Sequence, residues 1–476
     1  MDTELRSLAE DFRSESPYRR IFEAYSLMFG EGKYAALDSH RRYREEPSII
    51  DQINFSQDLF VDPLPIASLV RTIPAEPGYG TSSGELELGQ LVTVFEGWRA
   101  NAYIQDFPSV AGTRQEISLA GSAVAVGSGV TGSLAIAIAG AAEHERSQDG
   151  GRCKIYYSSP CYGMVEEIAR TFSLLPVPFG QENGRHLPSL SDTIDSFDTE
   201  ALAYVLTYPA NPSLSCYTST ETDLLARLIE KCRKNDTFLI VDTIFQDMRW
   251  SGEPSPEVFS LVDGSRNVVK TFGPSKDTPF AGGLRIGYMI GDSRLRPHVD
   301  RVASAVLNSH NFYSKLWLGL DLIFRRGTPS VADFVPFRDN FILGNHGRRM
   351  SHRDIYLRVQ DAGLYDNYQK AREHNLNFLN GEIIQIHEYL SQSEHFSVGP
   401  RPRFGNILLV RLKDPYAFES EYDFLFRALF EANVGLLVGG CFGVPEDSDE
   451  ILFRVVVAAE DATWTIRKLQ RIEAIL

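Results

Sequence analysis

From about residue 86 the chain alternates short β-branched or apolar runs with stretches whose apolar positions recur every three to four residues. The apolar-periodic Leu86 to Trp98 comes first. Ala123 to Val126 then predicts a strand and Thr131 to His144 a helix, and Lys154 to Tyr157 with Tyr162 to Phe172 repeats the pair. Tyr204 to Thr207 reads as a strand, Thr222 to Lys234 as a helix and Phe238 to Val241 as a buried strand. Val268 to Thr271 and Arg285 to Ile290 add two more strands. Such alternation predicts an α/β fold whose large domain has a mainly parallel sheet flanked by helices. After Phe324 the pattern breaks, and Arg325 to Pro329 and the basic, histidine-bearing Asn345 to Arg353 read as surface connections or an insertion. A smaller α/β segment closes the chain: strand Ile407 to Arg411, helix Ala417 to Glu431, strand Ile451 to Val457 and helix Ala462 to Ile475. The expected division is a segment 1–75 packed on the small domain or a dimer partner, a large domain 76–325, and a small domain 326–476. The small domain carries the insertion, around 326–373.

Composition narrows the function classes. The 476 residues carry a formal net charge of -16, which argues against a general affinity for nucleic acid or anionic membrane. No apolar run approaches the roughly 20 residues needed to span a bilayer. Met1 to Ser16 is polar and acidic, without the apolar run of a signal peptide. The five cysteines are widely spaced with no CxxC, which predicts reduced thiols and no metal site. A cytoplasmic enzyme is the expectation.

Gly127-Ser-Gly-Val-Thr-Gly132 is a GxGxxG between a predicted strand and helix, the arrangement of a dinucleotide-binding loop. The next strand should then end in an acidic residue for ribose hydroxyls, but it runs into Ser158-Ser159-Pro160. What survives is an anion site made of backbone N–H groups at a helix N-terminus, best read as a phosphate cradle.

The segment Gly273-Pro-Ser-Lys276-Asp-Thr-Pro-Phe-Ala-Gly-Gly-Leu-Arg285 carries the chemistry. A lysine between two core strands, beside small residues and with an arginine close by, is placed to be a partly desolvated nucleophile next to a phosphate. The segment resembles the lysine signature of fold type I pyridoxal 5′-phosphate (PLP) enzymes, specifically the class I and II aminotransferase superfamily. The resemblance runs from about Tyr79 to Arg454 and implies a role for each matching residue. Lys276 is then the lysine that forms a Schiff base with PLP and moves the α-proton. Arg285 binds the cofactor phosphate, with one more intervening residue than the family has, and Ser128, Gly129 and Val130 form the phosphate turn. Tyr162, in Pro160-Cys-Tyr162, stacks on the pyridine, and Asn211, in Asn211-Pro212, bonds its O3′ oxygen. Asp242 pairs with the pyridinium nitrogen and keeps the ring an electron sink. Arg454 clamps the substrate α-carboxylate next to Asn211. Tyr79 reaches the phosphate of a partner subunit, so the resemblance implies a homodimer with shared active sites.

Three features depart from the family. Phe245 stands where a tyrosine usually donates to the cofactor; losing that hydroxyl should raise the pKa of the Schiff base. Gly273 replaces a common phosphate-binding serine, for which Ser275 or Thr271 could substitute. The segments before Tyr79 and before His374 are long, and these changes point towards secondary metabolite biosynthesis. Transamination of a small amino acid is the first expectation. A lyase or synthase is the alternative, by β- or γ-elimination or replacement, or a PLP oxidase. For that alternative, Ser275-Lys276-Asp277 resembles aminocyclopropane carboxylate synthases, which act on S-adenosylmethionine. A PLP-binding regulator would need a DNA-binding module, and the acidic N-terminal segment offers no basic recognition helix.

Overall fold

The computed structural model describes residues 51–52, 86–111, 116–180, 186–278, 281–306, 312–337, 351–444, 448–457 and 461–476. Strand β1 is Asp51–Gln52. The large domain then runs through α1 (Leu86–Asp106), β2 (Ala123–Ser128), α2 (Gly129–Ser147), β3 (Lys154–Ser158), α3 (Met164–Thr171), β4 (Leu175–Phe179) and β5 (Ala201–Thr207). It continues with α4 (Thr222–Lys234), β6 (Phe238–Asp242), β7 (Val268–Phe272), β8 (Ile286–Gly291), α5 (Arg296–Val306) and α6 (Phe312–Arg325).

Strands β2 to β8 form one seven-stranded sheet in the order β2-β8-β7-β6-β5-β3-β4. Its pairs are parallel except where β8 meets β2 and β7. Successive side chains of a strand point to opposite faces, so a strand covered on both sides must be apolar throughout. In β6, Leu239 and Val241 enter a core shared with α1, α4 and α6, while Phe238 and Ile240 enter one shared with α2, α3 and α5. This is why Phe-Leu-Ile-Val shows no alternation in the sequence.

Strand β4 falls outside the expected elements, and its prolines explain why. Pro176 and Pro178 cannot donate to a ladder and are tolerated only at a sheet edge, where β4 lies. The strand expected from Arg285 begins one residue later, because Arg285 takes the left-handed conformation (φ 49°).

Past α6 the chain forms α7 (His352–Asp361) and the 29-residue α8 (Leu364–Gln392). The remaining elements are β9 (Phe396–Val398), β10 (Ile407–Leu412), α9 (Glu421–Phe430), β11 (Val434–Gly435), β12 (Leu437–Val438), β13 (Leu452–Val456) and α10 (Ala462–Glu473). Helix α9 starts four residues later than its apolar pattern suggested, because the Ser420 hydroxyl accepts from the Asp423 amide and caps it there. The antiparallel sheet β12-β13-β10-β9 packs on these helices, and β1 pairs with β11. Helix α8 links two cores: Leu364 and Tyr368 pack in the large-domain cluster, and Leu379, Ile383, Ile386 and Leu390 in the small-domain cluster. Among the described residues no helix is long and apolar enough to cross a membrane.

Candidate active site

Every described residue singled out for chemistry on the large domain lies at one edge of the seven-stranded sheet. Strand β2 ends at Ser128, β6 at Asp242, β5 ends shortly before Asn211 and β7 shortly before Lys276. Antiparallel β8 begins at that same edge, directly after Arg285. The register ties the ends together: Ser128 faces Ile286, and Asp242 stands between Thr207 and Thr271. Chain reversals just beyond buried parallel strands leave a crevice, the usual place for a ligand in such sheets.

Gly129 opens α2 with φ +70°, and a Cβ there would lie 3.2 Å from Arg285 Nη2 and 3.4 Å from its Cζ. The guanidinium, exposed on its other side, thus lies against the unpaired amides of a helix start. Planar donors and backbone amides converging on one spot suit a phosphate. The tight approach also accounts for Gly273. A Cβ there would sit 3.0 Å from Val130 Cγ2 and 3.0 Å from the Ile286 carbonyl oxygen, so a serine would push the lysine turn off the cradle.

Asp242 is 3% exposed, and burial pushes its carboxyl up to about 6, against the Ile244 amide and the positive charge of Lys276, which favour the anion. The Ile244 amide donates to its Oδ1 at 3.1 Å. Tyr162 is half-buried, with its hydroxyl 3.3 Å from Thr131 Oγ1 in the first turn of α2. Asn211 and Arg454 meet across the domain boundary: Arg454 Nη1 donates to Asn211 Oδ1 at 3.2 Å, and both are buried. Arg454 also lies over the Phe442 ring, 5.1 Å from its centroid. The segment bearing Phe442 docks on the large domain beside Tyr162, because the Cys161 amide donates to the Phe442 carbonyl (2.9 Å) and Ser159 Oγ to that of Gly443 (3.0 Å). Phe245 is fully buried among apolar side chains, Ser275 is half-buried in the lysine turn, and Tyr79 lies outside the described residues.

Residues 85–313 match the family model described as Aminotransferase class I and II. Over this stretch the chain is similar to that family. The curated relatives agree. Glutamate-pyruvate aminotransferase AlaC of Escherichia coli is 25% identical over 242 residues, 50% of this chain and 46% of that protein. Kynurenine–oxoglutarate transaminase 3 of Bos taurus is 26% identical over 149 residues, 30% of this chain and 32% of that protein. The chain spans less than half the length of the curated relatives it matches. In fold, the chain is similar to an alanine aminotransferase from Pyrococcus furiosus, with a TM-score of 0.66, 17% identity and 98% of each chain covered. It is also similar to an aspartate aminotransferase from Thermotoga maritima (TM-score 0.64, 16% identity, 91% of this chain and 94% of that one).

Behind the lysine turn, the large domain carries a buried charge network that the sequence did not announce. Lys270 Nζ sits between Glu96 (2.6 Å) and Glu257 (2.7 Å), and Tyr288 also donates to Glu96. Arg99 bonds Glu96 and Asp247, and Arg325 links Asp247, Asp321 and Asp277. The Arg99 and Arg325 guanidiniums also flank the Phe272 ring, 4.4 and 5.2 Å from its centroid.

Proposed function

We propose that the chain is a PLP-dependent aminotransferase that acts at the α-carbon of a small amino acid. The observation that carries the reading is the convergence at one sheet edge of Lys276, the buried carboxyl of Asp242 and the Gly129–Arg285 cradle. These residues fit PLP: a glycine-lined cradle whose free space a Cβ would fill takes the phosphate, and a desolvated carboxylate at the far side takes a pyridinium.

Bound PLP supplies an electron sink for the electrons released at the α-carbon. The protein does the rest. Arg285 and the amides of Gly129 and Val130 hold the phosphate, the Ser128 hydroxyl adds a donor beside them, and Ser275 offers another from the lysine turn. Tyr162, held by its hydroxyl beside Thr131, would lend its ring to hold the cofactor ring. Asp242 keeps the ring nitrogen protonated. Asn211 donates its amide to the ring oxygen, while its carbonyl oxygen is the acceptor that orients Arg454. Arg454 grips the substrate carboxylate with its planar fork and fixes the α-C–H bond relative to the ring. Lys276 Nζ would take up the α-proton and hold it beside the reacting atoms, the general-base role that transamination needs.

The names of the curated relatives, a glutamate-pyruvate aminotransferase and kynurenine–oxoglutarate transaminases, favour transamination over elimination or replacement. Exposed Val94 (47%) and Trp98 (39%), one turn apart on α1, support a homodimer that covers this face and completes the site with Tyr79. A cytoplasmic setting accords with the free cysteines and net charge.

The test is the visible spectrum of the purified protein beside Lys276→Ala, before and after a panel of amino acids. Transamination requires a visible band that Lys276→Ala lacks, and conversion of bound cofactor to pyridoxamine 5′-phosphate by at least one amino acid. Turnover with release of a substituent and no pyridoxamine 5′-phosphate would replace the reading with lyase or synthase chemistry.

A further inference from the structure

Lys276 sits in a turn whose polar anchors converge on the residues that follow it. The Thr278 amide closes the turn on the Pro274 carbonyl at 3.1 Å. Asp277 and Thr278 are each 1% exposed, whereas Ser275 and Lys276 are half-buried. Arg325 forks onto both Asp277 oxygens, at 2.6 and 2.9 Å, and reaches Thr278 Oγ1 at 2.8 Å. Arg372 adds two bonds to Asp277 Oδ2, from Nε at 3.2 Å and Nη2 at 2.9 Å. Arg372 lies on α8 between Tyr368, in the large-domain core, and Leu379, in the small-domain core.

We propose that Asp277, clamped by Arg325 and Arg372, is a positioning residue that sets the orientation and proton affinity of the Lys276 amine. The inference rests on Lys276 being the reactive amine. Two guanidiniums on one carboxylate leave little angular freedom: Arg325 forks across both oxygens and fixes the carboxylate plane, and Arg372 pins Oδ2 from a second direction. The peptide bond between Asp277 and Lys276 passes that constraint directly to the lysine backbone. The clamp is also part of the charge around the amine: Arg325 and Arg372 share Asp277, Arg325 further binds Asp247 and Asp321, and buried Asp242 interacts with Lys276 itself. Removing the Asp277 anion makes the surroundings of Lys276 more positive and disfavours its ammonium, even with Arg325 still held by Asp247 and Asp321; removing the Arg372 cation favours it. Because Arg372 belongs to α8, the small-domain core is mechanically joined to the lysine turn.

The variants are Asp277→Asn and Arg372→Gln. The first readout is the pH dependence of Lys276 acetylation by acetic anhydride in cofactor-free protein, followed by peptide mass. The midpoint should fall by about half a pH unit or more in Asp277→Asn and rise in Arg372→Gln. In the loaded enzyme, kcat should drop about tenfold or more in Asp277→Asn while KM stays within about threefold, because orientation of the base is lost and substrate binding is not. Labelling midpoints within about 0.2 unit of wild type in both variants would overturn the proposal and leave the clamp a structural brace. If Asp277→Asn does not fold, Arg372→Gln decides alone, since that side chain is 22% exposed and Arg325 still holds Asp277. A failure of the parent reading looks different: Lys276→Ala would keep its visible band and turnover, whatever the labelling midpoints show.

Discussion

Arg454 of the small domain donates from Nη1 to Oδ1 of Asn211 on the large domain, 3.2 Å away, with both side chains buried. One N–H of the guanidinium is thereby committed to Asn211, and the group lies over the Phe442 ring. Arg454→Lys keeps the charge but loses the planar fork. We expect KM for the amino acid to rise about tenfold or more, with PLP affinity unchanged. Steady-state kinetics beside a PLP titration checks this; an unchanged KM would remove Arg454 from the substrate site.

Gly129→Ala should weaken PLP binding more than it weakens the fold. The alanine would adopt φ +70° at a strain of roughly 1–2 kcal/mol. Its Cβ would also lie 3.2 Å from Arg285 Nη2 and push the guanidinium off the cradle. The dissociation constant for PLP, from an absorbance titration, should increase at least about tenfold, while the melting temperature of the cofactor-free protein falls by only a few degrees.

The sheet and its active edge were legible in the sequence for a physical reason. Buried parallel strands are short uninterrupted apolar runs, and ligands gather where such runs end, so Ser128, Asp242 and Lys276 could be placed by locating strand ends. The resemblance supplied their roles. What the sequence hid depends on contacts between distant residues. Asp277 meets Arg325 and Arg372 across separations of 48 and 95 residues, and Lys270 meets Glu96 across 174. A lysine inside a strand and a glutamate inside a helix each look like surface positions until the fold buries both. Strand β4 was hidden by its prolines, and the reason for Gly273 by a contact with Val130 that no local pattern encodes.

Asp242 gives the cofactor-free protein a pH dependence of defined sign. Its folded value is raised to about 6 by burial, above the value of an unfolded aspartate. The native state therefore holds its proton more tightly than the unfolded state, and the stabilisation is complete below the unfolded value. It is lost as pH rises through about 6. Denaturant midpoints of the cofactor-free protein should correspond to a decline on the order of 2–3 kcal/mol between pH 4 and 7 from this group. Asp242→Asn should abolish that component, and saturating PLP should reverse its sign by supplying a cation to the anion. A pH profile identical in wild type and Asp242→Asn would show that the carboxyl is not desolvated.

The network under the lysine turn should behave as a unit. Glu96 and Lys270 are both 0% exposed, and desolvation opposes the charge of each. Their mutual attraction, reinforced by Arg99, holds the Glu96 carboxyl below its ordinary range despite burial. Lys270→Met leaves the Glu96 and Glu257 carboxylates without the ammonium between them, and a loss of about 3–5 kcal/mol is expected. Glu96→Gln leaves Lys270 with Glu257 alone, and Tyr288 with a neutral acceptor, so its cost should be smaller. The double variant removes one charge of each sign from the pocket, so its cost should fall short of the sum of the singles by at least about 1 kcal/mol. Urea midpoints at pH 7 for the four proteins measure the coupling. Strict additivity would mean that the two groups stabilise the fold independently, and the ion pair would then be a consequence of packing and not a determinant of it.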